Sequence, residues 1–195
     1  HFDIKFTLIG DENIISNELS KYESLDNIEI MHTSQVLTME DDPMSVMKEK
    51  SDSSMAIGLR ALKEGTVDAF LSAGNTGALH VGSTLTVRKM KGVRRSAIAT
   101  VIPFENPILM MDSGANLDVT ADILDQWSVV GSIYASKMLG IENPRVGLLN
   151  NGTEEHKGTE LQQQTYALLR DNSELNFVGN VEGRDLMYGD IDVMV

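Results

Sequence analysis

The chain has 195 residues, 42% of them apolar, enough for a substantial buried core rather than a disordered tail. Its formal charge of −13 repels nucleic acid and anionic membrane surfaces in general, and no aromatic residue interleaves with its one basic run, so base stacking is not expected. Cysteine is absent, which removes disulfides, thiolate metal sites and a cysteine nucleophile together and agrees with a reducing cytosol.

In chain order, Phe2 to Ile9 reads as a strand, followed by Gly10 and a helix from Asp11 or Glu12 to about Lys21. Ile28 to Met31 is a second strand. The opening shows no secretory signal. The strand opening at Phe2 leaves no room for an earlier element, and the sequence stops on the apolar run Ile191 to Val195; a domain rarely ends inside a buried strand, so a fragment of a longer chain is expected. Glu40, Asp41, Asp42 and Pro43 form a helix start, with acids near the positive end of the dipole and Pro at the first helical position. The polar junction KEKSDSSM follows, with Lys48 and Lys50 read as solvated or within reach of an anion. A helix from Met55 to Glu64 stops at Gly65.

Val67 to Val87 is the stretch around which the rest is arranged. Val67 to Leu71 is apolar enough for a strand buried on both faces. Ser72, Ala73, Gly74, Asn75, Thr76, Gly77 and Ala78 are small residues that let backbone N–H groups approach a ligand, and Leu79, Val81, Leu85 and Val87 follow on a helix. A strand entering a tight turn at a helix N-terminus suits an anion, with phosphate the first expectation; the same turn is also how ordinary α/β units reverse direction. The uncharged run Ala69 to Val87 has membrane-span length, but its Ser, Asn, Thr, His and Gly residues read as a turn.

Arg88, Lys89, Lys91, Arg94 and Arg95 place five of sixteen cations within eight residues, either a solvated turn or a docking point for an acidic partner or a nucleotide. The strand Ala97 to Ile102 ends at Pro103, and FENP turns the chain into Ile108 to Met111. Asp112, Ser113, Gly114, Ala115 and Asn116 form a second polar loop. Asp118, Asp122 and Asp125 fall on one helix face, as exposed acids at a helix start or as a magnesium site. That helix runs through Trp127 to Leu139 and stops at Gly140, with Val129, Val130, Ile133 and Tyr134 read as core.

The strand Val146 to Leu149 leads into Asn150, Asn151, Gly152, Thr153, Glu154, Glu155, His156, Lys157 and Gly158, the densest chemical inventory in the chain. Lys157 beside a phosphate supplies a point charge and Glu154 positions it, while His156 is a possible acid or base or a solvent-exposed loop histidine. The strand from Asn176 ends in the loop Gly179 to Asp185, which supplies Asn180, Glu182, Arg184 and Asp185, with Arg184 either available to a ligand or paired to a neighbouring acid. In an open parallel sheet all carboxyl ends lie on one edge, so four such loops line one crevice.

Familiar sites are excluded by spacing. GALHVGST at Gly77 to Thr84 lacks the Walker lysine, and no GxGxxG follows a strand. His1, His32, His80 and His156 are scattered without zinc-ligand spacing, and there is no nucleophile-elbow GxSxG. The chemistry expected is an anionic substrate acting as its own nucleophile.

Together, SAGNTGAL (Ser72 to Leu79), DSGANLD (Asp112 to Asp118), GLLNNGTEEHKG (Gly147 to Gly158) and GNVEGRDL (Gly179 to Leu186) resemble the PlsX phosphate acyltransferases across essentially the whole chain. The resemblance implies transfer of a long-chain acyl group from acyl carrier protein to inorganic phosphate. It also implies a three-layer α/β/α sandwich with a mostly parallel sheet, like isocitrate dehydrogenase-like enzymes and phosphotransacetylases, here read as one domain over 1–195. A homodimer is implied, cytoplasmic and able to associate with the membrane and the next acyltransferase, with no metal and no organic cofactor. Two family segments are missing, an N-terminal D-A-M-G-G-D turn and a C-terminal D-G-F-x-G-N loop. Asn151, Gly152, Glu154, Lys157 and Gly158 match the pattern, whereas His156 does not.

Residues and resemblance then assign phosphate to Ser72, Gly74, Asn75, Thr76 and Gly77, with Lys157 as a further donor. Asn151, Glu154, Lys157 and Asp112 are the catalytic candidates, with Asp112 and Glu154 orienting donors. Gly114, Asn116, Asn180, Glu182 and Arg184 are candidate substrate contacts, and Arg88 to Arg95 the docking point for carrier protein. The alternatives are a phosphotransacetylase using acyl-coenzyme A, a magnesium-dependent hydroxy-acid dehydrogenase built on Asp118, Asp122 and Asp125, and a non-catalytic partner that binds acyl carrier protein.

Overall fold

The computed structural model describes residues 4–23 and 26–195; Phe2 and Asp3, the expected start of the first strand, lie outside them. Where the sequence reading treats the chain as one domain, its residues group into two compact units, 1–90 and 91–195.

In the first unit, β1 (Phe6–Gly10) pairs in parallel with β2 (Ile28–His32). Between them runs α1 (Glu12–Leu19), whose start is fixed by Asp11 accepting from the N–H groups of Asn13 and Ile14 at 2.9 and 3.1 Å. The expected helix after Asp42 is only a 3₁₀ turn, Pro43–Met47, capped by Asp42 on the Met44 N–H. Asp41 does not join that cap. It accepts from the Thr38 N–H and hydroxyl and pairs with Lys50 at 2.6 Å, so Lys50 is an internal clamp rather than a solvated cation.

The helix α2 (Ser54–Glu64) starts at Ser53 and ends at Gly65 in the left-handed region, as its stop signal predicts. Its Gly58 faces Phe70 so closely that a Cβ would lie 2.1 Å from the ring. The expected strand Val67 to Leu71 does not form: this segment pairs with no strand among the described residues, and Leu71 is 95% exposed. An apolar run becomes a strand only where a neighbour supplies the ladder, and here only Phe70 and Val67 turn inward. The following helix does form, as α3 (Thr76–Gly82) continuing into a π-helical turn, Ser83–Val87. Val46, Met55, Ala56, Leu59 and Ala78 make the core of this unit.

The second unit is built on a five-stranded sheet in the order β3–β4–β7–β5–β6. Its strands are β3 (Ala99–Ile102), β4 (Ile108–Met111), β5 (Arg145–Leu149), β6 (Asn176–Val181) and β7 (Val193–Met194). Only β3 is antiparallel to its neighbour; β4, β7, β5 and β6 run the same way. Ile108 and Leu109 are both fully buried, one on each face, which accounts for the unbroken apolar run in β4.

Two helices pack on this unit, α4 (Ala121–Met138) and α5 (Glu160–Asp171), the latter unread in the sequence although Thr159 and Gln162 form a capping box. The buried stripe of α4 is Ile123, Trp127, Gly131 and Ala135, four residues apart. Ile133 and Tyr134, expected in the core, are 57% and 40% exposed, because the close approach at Gly131 sets which face meets β4 and β7. A Cβ at Gly131 would come within 2.8 Å of Val193.

Asp192 fixes the central strand. Its carboxylate receives both Nε and Nη2 of Arg145 at 3.0 Å and the Arg145 N–H at 2.7 Å, while its N–H and C=O bridge β5 and β4. Burial alone would raise the Asp192 pKa, but the hydrogen bonds and charge of Arg145 outweigh it and hold the carboxyl below the ordinary range. A carboxyl depressed on folding stabilises fully above its unfolded value of about 3.9 and loses that contribution as pH falls through its folded value. Asp192→Asn is therefore expected to lower stability near neutral pH by about 2 kcal/mol, less than for a fully buried pair because Arg145 is partly exposed. It should also flatten the acid limb of urea unfolding followed below about pH 5. An acid limb as steep as wild type would remove Asp192 from this role.

Candidate active site

Because β4, β7, β5 and β6 are parallel, their carboxyl ends share one edge of the second unit, and the loops after β4, β5 and β6 leave from it. A cavity of about 150 Å³ opens there, bounded by Asp112 and Asn116 after β4, Leu149 at the end of β5 and Val195 after β7, over Met111 and Trp127. It is mainly apolar with a carboxylate and an amide beside it, a character suited to a ligand with both an apolar and a polar part.

Asp112 organises the first loop. One carboxylate oxygen accepts from the Ile98 N–H at 2.6 Å, and the other from the Asn116 N–H at 2.8 Å and the Asn116 amide at 3.3 Å. Asn116 also donates to the Ser96 carbonyl at 3.0 Å. Both side chains thus shape the loop, and the Gly114 and Ala115 N–H groups have no acceptor among the described residues. Gly114 has φ +105, a conformation that suits glycine.

The loop after β5 is tied down by an amide the sequence reading counted but gave no role. Asn150 is buried, donates to the Lys157 carbonyl at 3.1 Å and accepts from the Asn151 N–H at 2.8 Å. Gly158, at φ +86, passes so near that a Cβ would sit 2.6 Å from the Asn150 oxygen. From β6, the buried Asn180 donates to the Glu154 carbonyl at 2.8 Å. These two amides fix the backbone on which Glu154 and Lys157 stand. The Lys157 ammonium lies 4.0 Å from the Glu154 carboxylate, and both side chains are substantially exposed, so the ammonium keeps donors for an anion.

The neighbouring groups are engaged elsewhere. Glu155 pairs with Arg170 at 2.7 Å, and His156 is exposed. After β6 the chain makes a 3₁₀ turn, Gly183–Tyr188, where Arg184 pairs with Glu182 at 2.6 Å and sits 3.8 Å from Asp185. Asn151 is exposed at the start of its loop.

The Ser72–Ala78 loop belongs to the first unit. Asn75 is buried; its oxygen accepts from the Ala78 N–H at 3.2 Å, and its NH₂ is shared among the carbonyls of Thr38, Met39 and Asp41 at 3.2 to 3.3 Å. Ser72 turns onto Gly74, and Gly77 lies against Pro43. The N–H groups of Thr76 and Gly77 have no acceptor among the described residues.

The basic run is not a uniform patch. Arg94 forms an ion pair with Asp122, and Arg95 donates to the Asp118 carbonyl, fastening this segment to the start of α4. Trp127 adds a bond from its indole N–H to the Arg95 carbonyl at 2.9 Å. Asp125 accepts from Asn172 at 2.8 Å, so Asp122 and Asp125 face separate partners.

The profile of the family described as fatty acid synthesis protein matches residues 1–195. A phosphate acyltransferase of Thermoanaerobacterium thermosaccharolyticum is 45% identical over 196 residues, covering all of this chain and 57% of the relative. One of Streptococcus uberis is 45% identical over 195 residues, covering 99% of this chain and 57% of the relative. The chain thus spans less than three-fifths of the length of these curated relatives. Among solved structures, EutD phosphotransacetylase from Staphylococcus aureus superposes with a TM-score of 0.60 at 14% identity, covering 98% of this chain and 77% of that one. A branched-chain phosphotransacylase from Enterococcus faecalis gives 0.54 at 14% identity, over 98% and 79%. At that identity the likeness is one of fold, mixed α/β with a mostly parallel sheet. The match along its whole length shows that the chain belongs to the fatty acid synthesis protein family, that of the PlsX phosphate acyltransferases.

Proposed function

We propose that this chain is part of an acyltransferase that moves a long-chain acyl group from acyl carrier protein to inorganic phosphate. The observation that carries the reading is the Glu154–Lys157 pair, held by Asn150 and Asn180 on the strand edge, in a chain whose relatives are phosphate acyltransferases. In this reading an oxygen of hydrogen phosphate attacks the thioester carbonyl, the new O–C bond forms, the C–S bond breaks, and the proton lost by the phosphate passes to the sulfur, so that the carrier leaves as its thiol. Phosphate is ionised near neutral pH, so its oxygen is a nucleophile without a strong base, and the step as written uses no cofactor. Lys157 offsets phosphate charge, and Glu154 positions the ammonium.

The N–H groups of Gly114 and Ala115 are the candidate donors to the tetrahedral oxyanion, with Asp112 and Asn116 shaping their loop. Asn151 is a further candidate phosphate donor, and Glu182 and Arg184 candidate substrate contacts. In the first unit, Ser72, Gly74, Thr76 and Gly77 are candidate phosphate contacts, and Asn75 is a positioning residue for them. Asp112 and Asn180 position in the same sense. The whole enzyme is read as a cytoplasmic homodimer that can touch the membrane surface and the next acyltransferase. Among the described residues, no helix is long and apolar enough to cross a membrane. Use of acyl-coenzyme A in place of the carrier is the second reading, favoured by the fold shared with phosphotransacetylases.

Two substitutions in the full-length protein separate chemistry from scaffolding. Lys157→Ala is expected to raise the phosphate KM or lower kcat by at least about tenfold, equivalent to about 1.4 kcal/mol, with little change in unfolding temperature. Unchanged phosphate kinetics would remove Lys157 from the site. Asn75→Ala loses a helix cap and the bonds to three carbonyls, so thermal unfolding should show a loss of about 1–3 kcal/mol. An unaltered melting profile would mean that Asn75 does not hold its loop.

A further inference from the structure

The first unit has a cavity of about 220 Å³ that the proposed chemistry leaves unused. Its floor is Val46 and Ala56, both buried, and its walls are Met47 and Leu85, both exposed large apolar side chains. Arg60 and Lys63, one turn apart on α2, also line it, together with Ser51 and Thr86. Among the described residues, no carboxylate lines it. Met44, also exposed, stands three residues before Met47 on the same 3₁₀ turn, where residues at that spacing eclipse, so it extends the apolar surface. Methionine walls adapt to the shape of what they meet.

Acids outnumber Lys and Arg by 29 to 16, and Arg60 and Lys63 stand outside the ion pairs that hold Lys5, Lys21, Lys50, Arg94, Arg145, Lys157, Arg170 and Arg184. Arg60 donates only to the Ser51 carbonyl, at 2.6 Å, and Lys63 has no partner among the described residues. Two unneutralised cations beside an exposed apolar hollow form an arrangement complementary to an acidic, amphipathic segment.

We infer that this hollow is the docking surface for an acidic protein partner, which places one apolar side chain against Met47 and Leu85 and carboxylates on Arg60 and Lys63. Carboxylates one turn apart on a partner helix match cations one turn apart on α2. A second copy of this chain fits poorly: a two-fold contact here sets Arg60 and Lys63 against their own images. The inference rests on the acyl-transfer reading in one respect, that the acidic partner used to test it is acyl carrier protein, the proposed donor.

The test uses the full-length protein carrying Arg60→Glu with Lys63→Glu, or Leu85→Ser, with Lys21→Glu, an exposed cation just after α1 that does not line the hollow, as a control. Binding of labelled carrier protein is followed by fluorescence anisotropy, acyl phosphate formation is measured from acyl carrier protein and from acyl-coenzyme A, and light scattering reports oligomeric state. The charge reversal is expected to weaken carrier binding and raise its KM by about tenfold or more, leaving kcat, the phosphate KM and acyl-coenzyme A turnover unchanged. Leu85→Ser should show a smaller loss of the same kind, and the control none. Wild-type affinity in both variants overturns the inference, as does a changed oligomeric state, which would make the surface a self-contact. Absence of acyl phosphate from either donor in the wild type sinks the acyl-transfer reading instead, and anisotropy then decides the docking surface alone.

Discussion

Val193 and Met194 form the central strand of the second unit, hydrogen-bonded in parallel to β4 on one side and β5 on the other. Its placement depends on Asp192, which takes two guanidinium bonds and a backbone bond from Arg145 and joins both neighbouring strands through its own N–H and C=O. The register of β7 in turn sets the rim, because Leu149 donates to Val195 at 2.8 Å where the β5 loop departs. A carboxylate on one side of the sheet thereby fixes where the loops begin on the other edge. The pair resists acid only while Arg145 can offset the burial of Asp192, so geometry and charge state are linked.

Along the rim the amide side chains have a common job. Asn150 and Asn180 bond backbone carbonyls in the Glu154–Lys157 loop, Asn116 bonds the Ser96 carbonyl, and in the first unit Asn75 is shared among three carbonyls. An Asn whose donors face main-chain acceptors holds shape and has little left for a ligand. Among the described residues the scaffold leaves over the Lys157 ammonium, the buried Asn180 side-chain oxygen and a few N–H groups in glycine-containing turns. A loop rich in polar residues is thus mostly architecture, with its chemistry confined to a small remainder.

That division explains what the sequence could and could not show. The strands at Ile108, Val146 and Asn176 and the helix stops at Gly65 and Gly140 were legible, since apolar runs and left-handed glycines are local signals. Val67 to Leu71 carried the same apolar signal without a ladder partner, and partnership is not a local property. The Arg145–Asp192 pair spans 47 positions, so no spacing rule could find it. Ile133 and Tyr134 read as core in the sequence, yet the contact is set by Gly131, the smallest residue on the helix. The four polar loops are visible as motifs, but the roles of Asn75 and Asn180 follow from acceptors more than twenty residues away, and that of Asn150 from the fold of its own loop back onto Lys157.

Charge supplies the remaining step. In a chain this acidic, an exposed cation has many carboxylates competing for it, and eight of the sixteen arginines and lysines form ion pairs among the described residues. The basic run after α3 looked like the natural docking point because its charges are consecutive, yet Arg94 and Arg95 are tied to the start of α4. Linear clustering therefore overstates what a run can offer a partner, while Arg60 and Lys63, separated in sequence, share one hollow on α2. The useful cation in an acidic protein is the one whose surroundings supply no carboxylate, and that property belongs to the fold rather than to the order of residues.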